Sequence, residues 1–304
     1  MSRPILITGS HRSGSTWVGR ILGTAPGLGY IQEPFKPTTY PGVVPQPFPD
    51  WYHYLCAENQ ADATEIFSRV LQFDFHARAA WSTVHSPRSF VRFCRRWARQ
   101  SRLRRRRCRP LLKDPFALFS TEWLIRNFDT QVVMLIRHPA AFVSSLKLKG
   151  WNFDFNDFLR QPLLIRDLLA PFENDIARFA REKQGIVEQS ALLWNCVHHV
   201  VHTFRTRHPD WIFIRHEDLS RDPQTGFQEL FQKLDVPFDH HTRAKIQELS
   251  GEHNPAERSD RGGSRRNSRE NIQNWKHRLT PAEIQTVRRL THPVSPLFYS
   301  ESDW

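Results

Sequence analysis

Gly9-Ser10-His11-Arg12-Ser13-Gly14-Ser15-Thr16-Trp17 directly follows the apolar run Ile5 to Ile7. A buried-strand pattern emptying into a glycine- and serine-rich turn, with a helical pattern from Thr16 to Leu22 behind it, is a strand feeding a phosphate loop. The backbone N–H groups of such a loop and the positive end of the helix form an anion cradle that needs no charged side chain. The spacing nearly fits the nucleotide P-loop G-x-x-x-x-G-K-[ST], yet Ser15 stands where that motif has its lysine. The strong cation of the loop is Arg12 instead. Such a cradle suits an anionic nucleotide whose γ-phosphate is not the group transferred, although the same residues taken alone also make an ordinary tight turn.

A second motif separates these readings. Val132-Val133-Met134-Leu135-Ile136-Arg137-His138-Pro139 is another buried-strand pattern ending in a cation and a helix start, with Pro139 suited to the first helical turn. Arg137 offers a planar fork to a phosphate, and Ser145, two turns into the following helix, adds a hydroxyl donor. Two phosphate sites at two strand ends imply a ligand with phosphates at both ends.

With both motifs in hand, the chain resembles the sulfotransferases that use 3′-phosphoadenosine 5′-phosphosulfate (PAPS), whose product is 3′,5′-adenosine bisphosphate (PAP). The resemblance implies that Arg12, Ser13, Gly14, Ser15, Thr16 and Trp17 hold the 5′-phosphosulfate, with Trp17 near the adenine. It implies likewise that Arg137 and Ser145 hold the 3′-phosphate. The segment Asn271 to Thr280 resembles the family's C-terminal Trp-Lys element, and just before it Arg265, Arg266 and Arg269 belong to a Gly/Ser-rich loop, about residues 255–270, expected to close over the cofactor. Trp211 to Pro223 is similar to the family's last core strand and its Glu-Asp-Leu turn. These matches run in the right order from residue 5 to residue 280.

Strand-like runs at Pro4 to Thr8, Pro110 to Lys113, Gln131 to Ile136 and Trp211 to Arg215 alternate with helical patterns. They predict an α/β fold: a single P-loop-type domain over 1–304, with a central, mostly parallel sheet flanked by helices. Ligands of such sheets bind beyond the carboxyl ends of the strands, where Arg12, Lys113, Arg137 and the Glu217 turn all fall. The Ile5 to Ile7 run is too short for a membrane span and is consumed by the first strand, so the expectation is a soluble, cytoplasmic protein. Cys56, Cys94, Cys108 and Cys196 form no C-x-x-C pair, and His198, His199 and His202 lack the Glu of H-E-x-x-H. No metal site is expected.

Eleven arginines and no acidic residue lie between Arg88 and Arg109, in a chain whose formal net charge is +12. This one segment sets the pI. Arg88, Arg92, Arg95, Arg96, Arg99 and Arg102 follow helical spacing, with Phe93 and Trp97 as an apolar i,i+4 pair, which predicts an amphipathic helix. It is read either as a solvated cationic face or as a surface for an acidic acceptor or an anionic membrane. No nucleic-acid-binding motif accompanies it.

Sulfuryl transfer needs a base for the acceptor hydroxyl and cations for the charge growing on the leaving group. Glu33, in Tyr30-Ile31-Gln32-Glu33-Pro34, lies at the expected end of the second strand. In the carbohydrate and tyrosylprotein branches that the chain resembles, a Glu at this spacing from the loop Arg stands at the acceptor, which implies that Glu33 is the base. Capping a turn or pairing with Arg12 is its other reading. Lys113 ends another strand and, with Arg12, serves as a cation near the transferred group. The cytosolic aryl and steroid branch reads Lys-Thr-His there and uses that His as base; here Pro115 takes its place. Asp114 remains a competitor for the base or an orienter of Lys113.

Around Glu33, the segment Pro34 to Tyr54 is rich in proline and aromatics, and Trp151, Phe153, Phe155 and Phe158 supply a second aromatic set, an opposite wall or lid. Aromatic faces stack on sugar rings and also line lipid pockets or simply fill a core. With the Tyr-x-x-Glu-Pro resemblance, the expected acceptor is a hydroxyl of a glycan or glycolipid. The competing readings are a P-loop kinase or NTPase, disfavoured by Ser15, and a non-catalytic nucleotide- or polyanion-binding protein.

Overall fold

The computed structural model describes residues 3–251 and 267–304. Five strands, β1 (Ile5–Gly9), β2 (Leu28–Gln32), β3 (Arg109–Lys113), β4 (Gln131–Ile136) and β5 (Ile212–Arg215), form one sheet in the order β2-β3-β1-β4-β5. Every pairing is parallel. Parallel neighbours need helical crossovers that cover both faces, so the strands are apolar on both sides. Ile5, Ile7, Val133 and Leu135 pack with the helices α1 (Ser15–Leu22), α7 (Pro223–Lys233) and α8 (His240–Ser250). The alternate residues Leu6, Val132, Met134 and Ile136 face the larger layer, which contains α5 (Pro139–Lys149) and α6 (Ile186–Arg207).

Other helices include α2 (Ala63–Leu71), α3 (Pro87–Arg105), α4 (Thr121–Phe128) and α9 (Pro281–Thr291), and a further helix, Glu173–Arg181, lies between α5 and α6. Pro139 occupies the first turn of α5, where its missing N–H costs no intrahelical bond. The predicted arginine helix is α3. A capping box of Ser86 and Ser89 starts it, Pro87 opens it, and Arg107 in the left-handed region (φ 49°) follows its end. None of its residues is buried, so its period of apolar side chains reports a surface helix rather than a core one.

The register sets the site. Lys113 is level with Ile7 and with Gln32, so the residues that follow β1, β2 and β3 leave the sheet at one edge. Ile136 is level with Arg215, which brings Arg137 and His216 to the same edge. Among the described residues no helix is long and apolar enough to cross a membrane, and no group of three His, Cys, Asp or Glu side chains is arranged to hold a metal. His198 stacks on Trp194 at 4.1 Å, and its Nδ1 is 2.9 Å from that residue's carbonyl.

Candidate active site

The loop after β1 and the start of α5 form one hydrogen-bonded unit. Arg12 adopts the left-handed region (φ 66°), and its Nε donates to Ser145 Oγ at 2.9 Å. Arg137 Nη1 donates to the Arg12 carbonyl at 2.8 Å. The two phosphate motifs, far apart in sequence, therefore position each other.

Gly14 caps α1 with φ 92°, and a Cβ there would lie 2.5 Å from His216 Nδ1. A glycine is needed both for the backbone angle and for the close approach of the turn after β5. The N–H groups of Ser15, Thr16 and Trp17 are the first of α1 and have no intrahelical acceptor. Ser13 is placed differently from its neighbours: it is wholly buried, and its amide donates to the Ser10 carbonyl at 3.2 Å. Its hydroxyl has no hydrogen-bond partner among the described residues. Trp17 is half-buried, edge-on to Phe227 with centroids 5.0 Å apart, and donates from Nε1 to Ser250 Oγ at 3.0 Å.

These features fit an anionic nucleotide. Unsatisfied amides, a positive helix end, Arg12 and a glycine whose side chain would fill the cradle are what a phosphate requires. The late sequence elements lie around this unit rather than in it. Trp275 is buried and stacks on His138 at 5.1 Å, and Lys276 Nζ donates to the Trp304 carbonyl at 3.1 Å. Glu217 accepts from the His138 amide at 3.0 Å and from the Tyr299 hydroxyl at 2.9 Å, so it clamps the β4 turn from behind. Arg269 Nε donates to the Arg221 carbonyl at 3.0 Å. Arg265 and Arg266, with most of the expected closing loop, lie outside the described residues.

Beside the cradle opens a cavity of about 750 Å³, into which Arg12, Ser15, Thr16, Glu33, Lys36 and Lys113 converge. Lys113 is only 1% exposed, and its Nζ donates to Glu33 Oε1. Glu33 itself has φ 48°, and its amide donates to the Lys113 carbonyl at 2.9 Å, extending the β2–β3 ladder by one bond. Its other oxygen lies 3.8 Å from Lys36 Nζ. Left-handed backbone at both Arg12 and Glu33 is strain of the kind that concentrates at functional sites.

Asp114 points elsewhere. It is fully buried and absent from the cavity wall; one oxygen accepts from the Phe35 amide at 2.6 Å and the other from the Phe116 amide at 2.9 Å. Burial pushes its carboxyl up to about 7 despite those two amides. It fixes the turns that carry Glu33 and Pro115.

Of the expected aromatic walls, Trp51, Tyr52, Trp151 and Phe153 line the cavity, and Trp151 is half-exposed with the Arg12 guanidinium 5.7 Å from its ring centre. Phe35, Phe155 and Phe158 are core residues. Sequence reasoning missed a polar pair in the cavity wall, His11 with Tyr52. The Tyr52 hydroxyl accepts from the His11 amide at 3.1 Å and lies 2.6 Å from His11 Nδ1. Burial, then the nearby Arg12 charge, holds the His11 ring down at about 3, so it is neutral. Lys36 was also missed, although its position three residues after Glu33 in a turn is a signal for it.

A cradle suited to an anion, joined to a cation- and carboxylate-lined cavity at the carboxyl edge of a parallel sheet, is where α/β proteins of this architecture place a ligand site. Residues 4–240 match the sulfotransferase family, and the chain belongs to it. A search of curated proteins finds no match. Among solved structures, the sulfotransferase domain from the curacin biosynthetic pathway is similar, with 14% identity, 95% of this chain and 97% of that one covered, and a TM-score of 0.47. A mouse sulfotransferase complexed with PAP gives 12%, 99%, 86% and 0.47. Sulfotransferase STF9 from Mycobacterium avium gives 15%, 98%, 77% and 0.44.

Proposed function

We propose that this sulfotransferase moves the sulfuryl group of PAPS to a hydroxyl of a carbohydrate or glycoconjugate, with Glu33 as base. The observation that carries the reading is the Lys113–Glu33 pair facing the same cavity as Arg12 and the first turn of α1. The family match over residues 4–240 and the two phosphate motifs at Arg12 and Arg137 support the choice of donor. When bound, PAPS supplies a sulfuryl group on an already good leaving group.

The residues of the chain do the rest. Glu33 accepts the proton of an acceptor hydroxyl brought within hydrogen-bond reach. As its negative charge disappears, the buried Lys113 ammonium loses its counter-charge and becomes available to an anion developing beside it. Arg12 is held by Ser145 and by Arg137 through its own carbonyl, so it adds a second, pre-oriented cation at no reorganisation cost. Asp114 has both oxygens engaged by backbone amides, which favours Glu33 as the base. Trp51, Trp151 and Phe153 offer faces to sugar rings, while Thr38, Asn152 and Asp154 offer hydroxyl partners.

Thermal stabilisation by PAP, compared with ATP plus Mg²⁺ and with 5′-AMP, tests the donor on the parent chain and on Arg137→Ala. Selective stabilisation by PAP that is lost in the variant is the expected result. Preference for ATP with Mg²⁺ would overturn it in favour of a kinase. Selective PAP binding with no transfer from radiolabelled PAPS to any glycan acceptor would leave a non-catalytic binder.

A further inference from the structure

A second groove, of about 310 Å³, runs from the active cavity to the arginine helix. Glu33, Lys36 and Thr38 line both spaces, so the groove is an extension of the cavity and not a separate dent. Its far wall is made by Arg96 and Arg99 of α3, facing Tyr30, Tyr40 and Phe75.

The two guanidinium groups are oriented rather than loose. Arg96 lies 3.9 Å from the centre of the Tyr40 ring, and Arg99 Nη2 donates to the Tyr30 carbonyl at 3.1 Å. Stacking and a single backbone bond fix the planes of these groups and leave further N–H donors for a ligand. Arg92 and Arg95 lie one helical turn away on the same flank, extending the cationic track beyond the groove. Arg104, farther along the helix, is paired with Asp74 at 2.8 Å, but no carboxylate among the described residues is in ion-pair contact with Arg92, Arg95, Arg96 or Arg99. A basic track that the fold does not neutralise is complementary to an anionic ligand.

We infer that the acceptor is an acidic glycan. Its reacting hydroxyl lies at Glu33, and a carboxylate or sulfate on a neighbouring sugar is gripped by Arg96 and Arg99. The inference rests on the carbohydrate-acceptor reading above and adds the charge of the substrate and the residues that read it. Phe90 and Trp97, with Trp81 beside the helix, are half-exposed and would suit a lipid surface, but they do not line the groove. Continuity with the cavity favours the glycan.

The test uses the full chain saturated with PAP. Binding of an unsulfated chondroitin octasaccharide, which carries a carboxylate on each disaccharide, is measured by calorimetry against neutral chitohexaose. Two charge-matched double variants are compared: Arg96→Gln with Arg99→Gln in the groove, and Arg88→Gln with Arg105→Gln away from it. The expected result is a preference for the acidic chain, weakened about 10-fold by the groove pair and less than about 2-fold by the other. Equal weakening by both pairs, or equal binding of the neutral sugar, overturns the inference. So does binding to phosphatidylserine vesicles, abolished by Trp97→Ser, without saccharide binding. Transfer from PAPS to neutral and acidic acceptors with equal KM would keep the proposed reaction and remove this inference. Selective binding of the acidic chain without any transfer would do the reverse.

Discussion

Glu33 and Lys113 are joined twice, once through the main chain at 2.9 Å and once through their charged side chains. Because the first bond extends the β2–β3 ladder, the sheet itself sets the second. The candidate cation thus ends a strand and the candidate base opens the turn after the neighbouring strand, one bond past the ladder, so the pair is anchored at the rim of a rigid sheet.

Glu33→Gln keeps an acceptor for Lys113 while removing the basic oxygen. Turnover with a saturating glycan acceptor should fall about 10²- to 10³-fold, with PAP affinity nearly unchanged. Single-turnover transfer and equilibrium PAP binding separate the two quantities. Transfer that survives in Glu33→Gln and fails in Asp114→Asn, in a variant that still binds PAP, would move the base to Asp114.

Gly19→Ala probes the same lysine from behind. A Cβ at this position in α1 would lie 3.0 Å from Lys113 Cγ and 3.0 Å from the Tyr30 ring. Alanine favours a helix over glycine by about 1 kcal/mol, whereas overpacking costs roughly 1–3 kcal/mol. Lys113 is buried and tethered to Glu33, so it yields little and the second effect wins. The expected outcome is a lower urea midpoint together with reduced turnover. A more stable, fully active variant would show that the lysine stem is free to move.

Tyr52→Phe removes the hydroxyl that serves His11 at its amide and its ring. Both bonds are part-buried beside the cavity, so the unsatisfied amide should cost about 1 kcal/mol of stability, the lower end for such a group, measured by urea unfolding. An unchanged midpoint would mean that water replaces the hydroxyl.

The sequence exposes those parts that are written locally. The strands carrying Arg12, Lys113 and Arg137 are contiguous apolar runs, and the arginine helix is legible from its spacing. What stays hidden depends on contacts across the chain. Asp114 looks like a possible base until the Phe35 amide, 79 residues away, takes one of its oxygens. Tyr52 is one aromatic among many until it reaches His11 across 41 residues. The arginine track reads equally well as solvated charge until the flank of α3 that meets Tyr30 and Tyr40 is known. Helix periodicity tells which residues share a face, but not what that face meets.

Buried histidines should make the protein acid-labile. Burial holds the rings of His11, His138 and His198 down at about 3, against an ordinary value of 6.5. Below pH 6.5 the unfolded chain takes up protons that these folded rings refuse. Stability present above pH 6.5 is therefore lost as the pH falls, by about 2 kcal/mol per ring at pH 5. Asp114 and Asp157 act in the opposite sense, because burial raises them to about 7 and about 6. From their folded values down to the ordinary carboxylate range, the folded state holds protons that the unfolded state releases, so these two groups gain stability as the pH falls. Three rings outweigh two carboxyls, the more so because His216 is also held well below its ordinary value. The urea midpoint should drop between pH 7 and pH 5, and His198→Gln, remote from the cavity, should flatten that slope by about one proton. A midpoint that rises towards pH 5 would mean that the carboxyls dominate and the rings take up protons without unfolding.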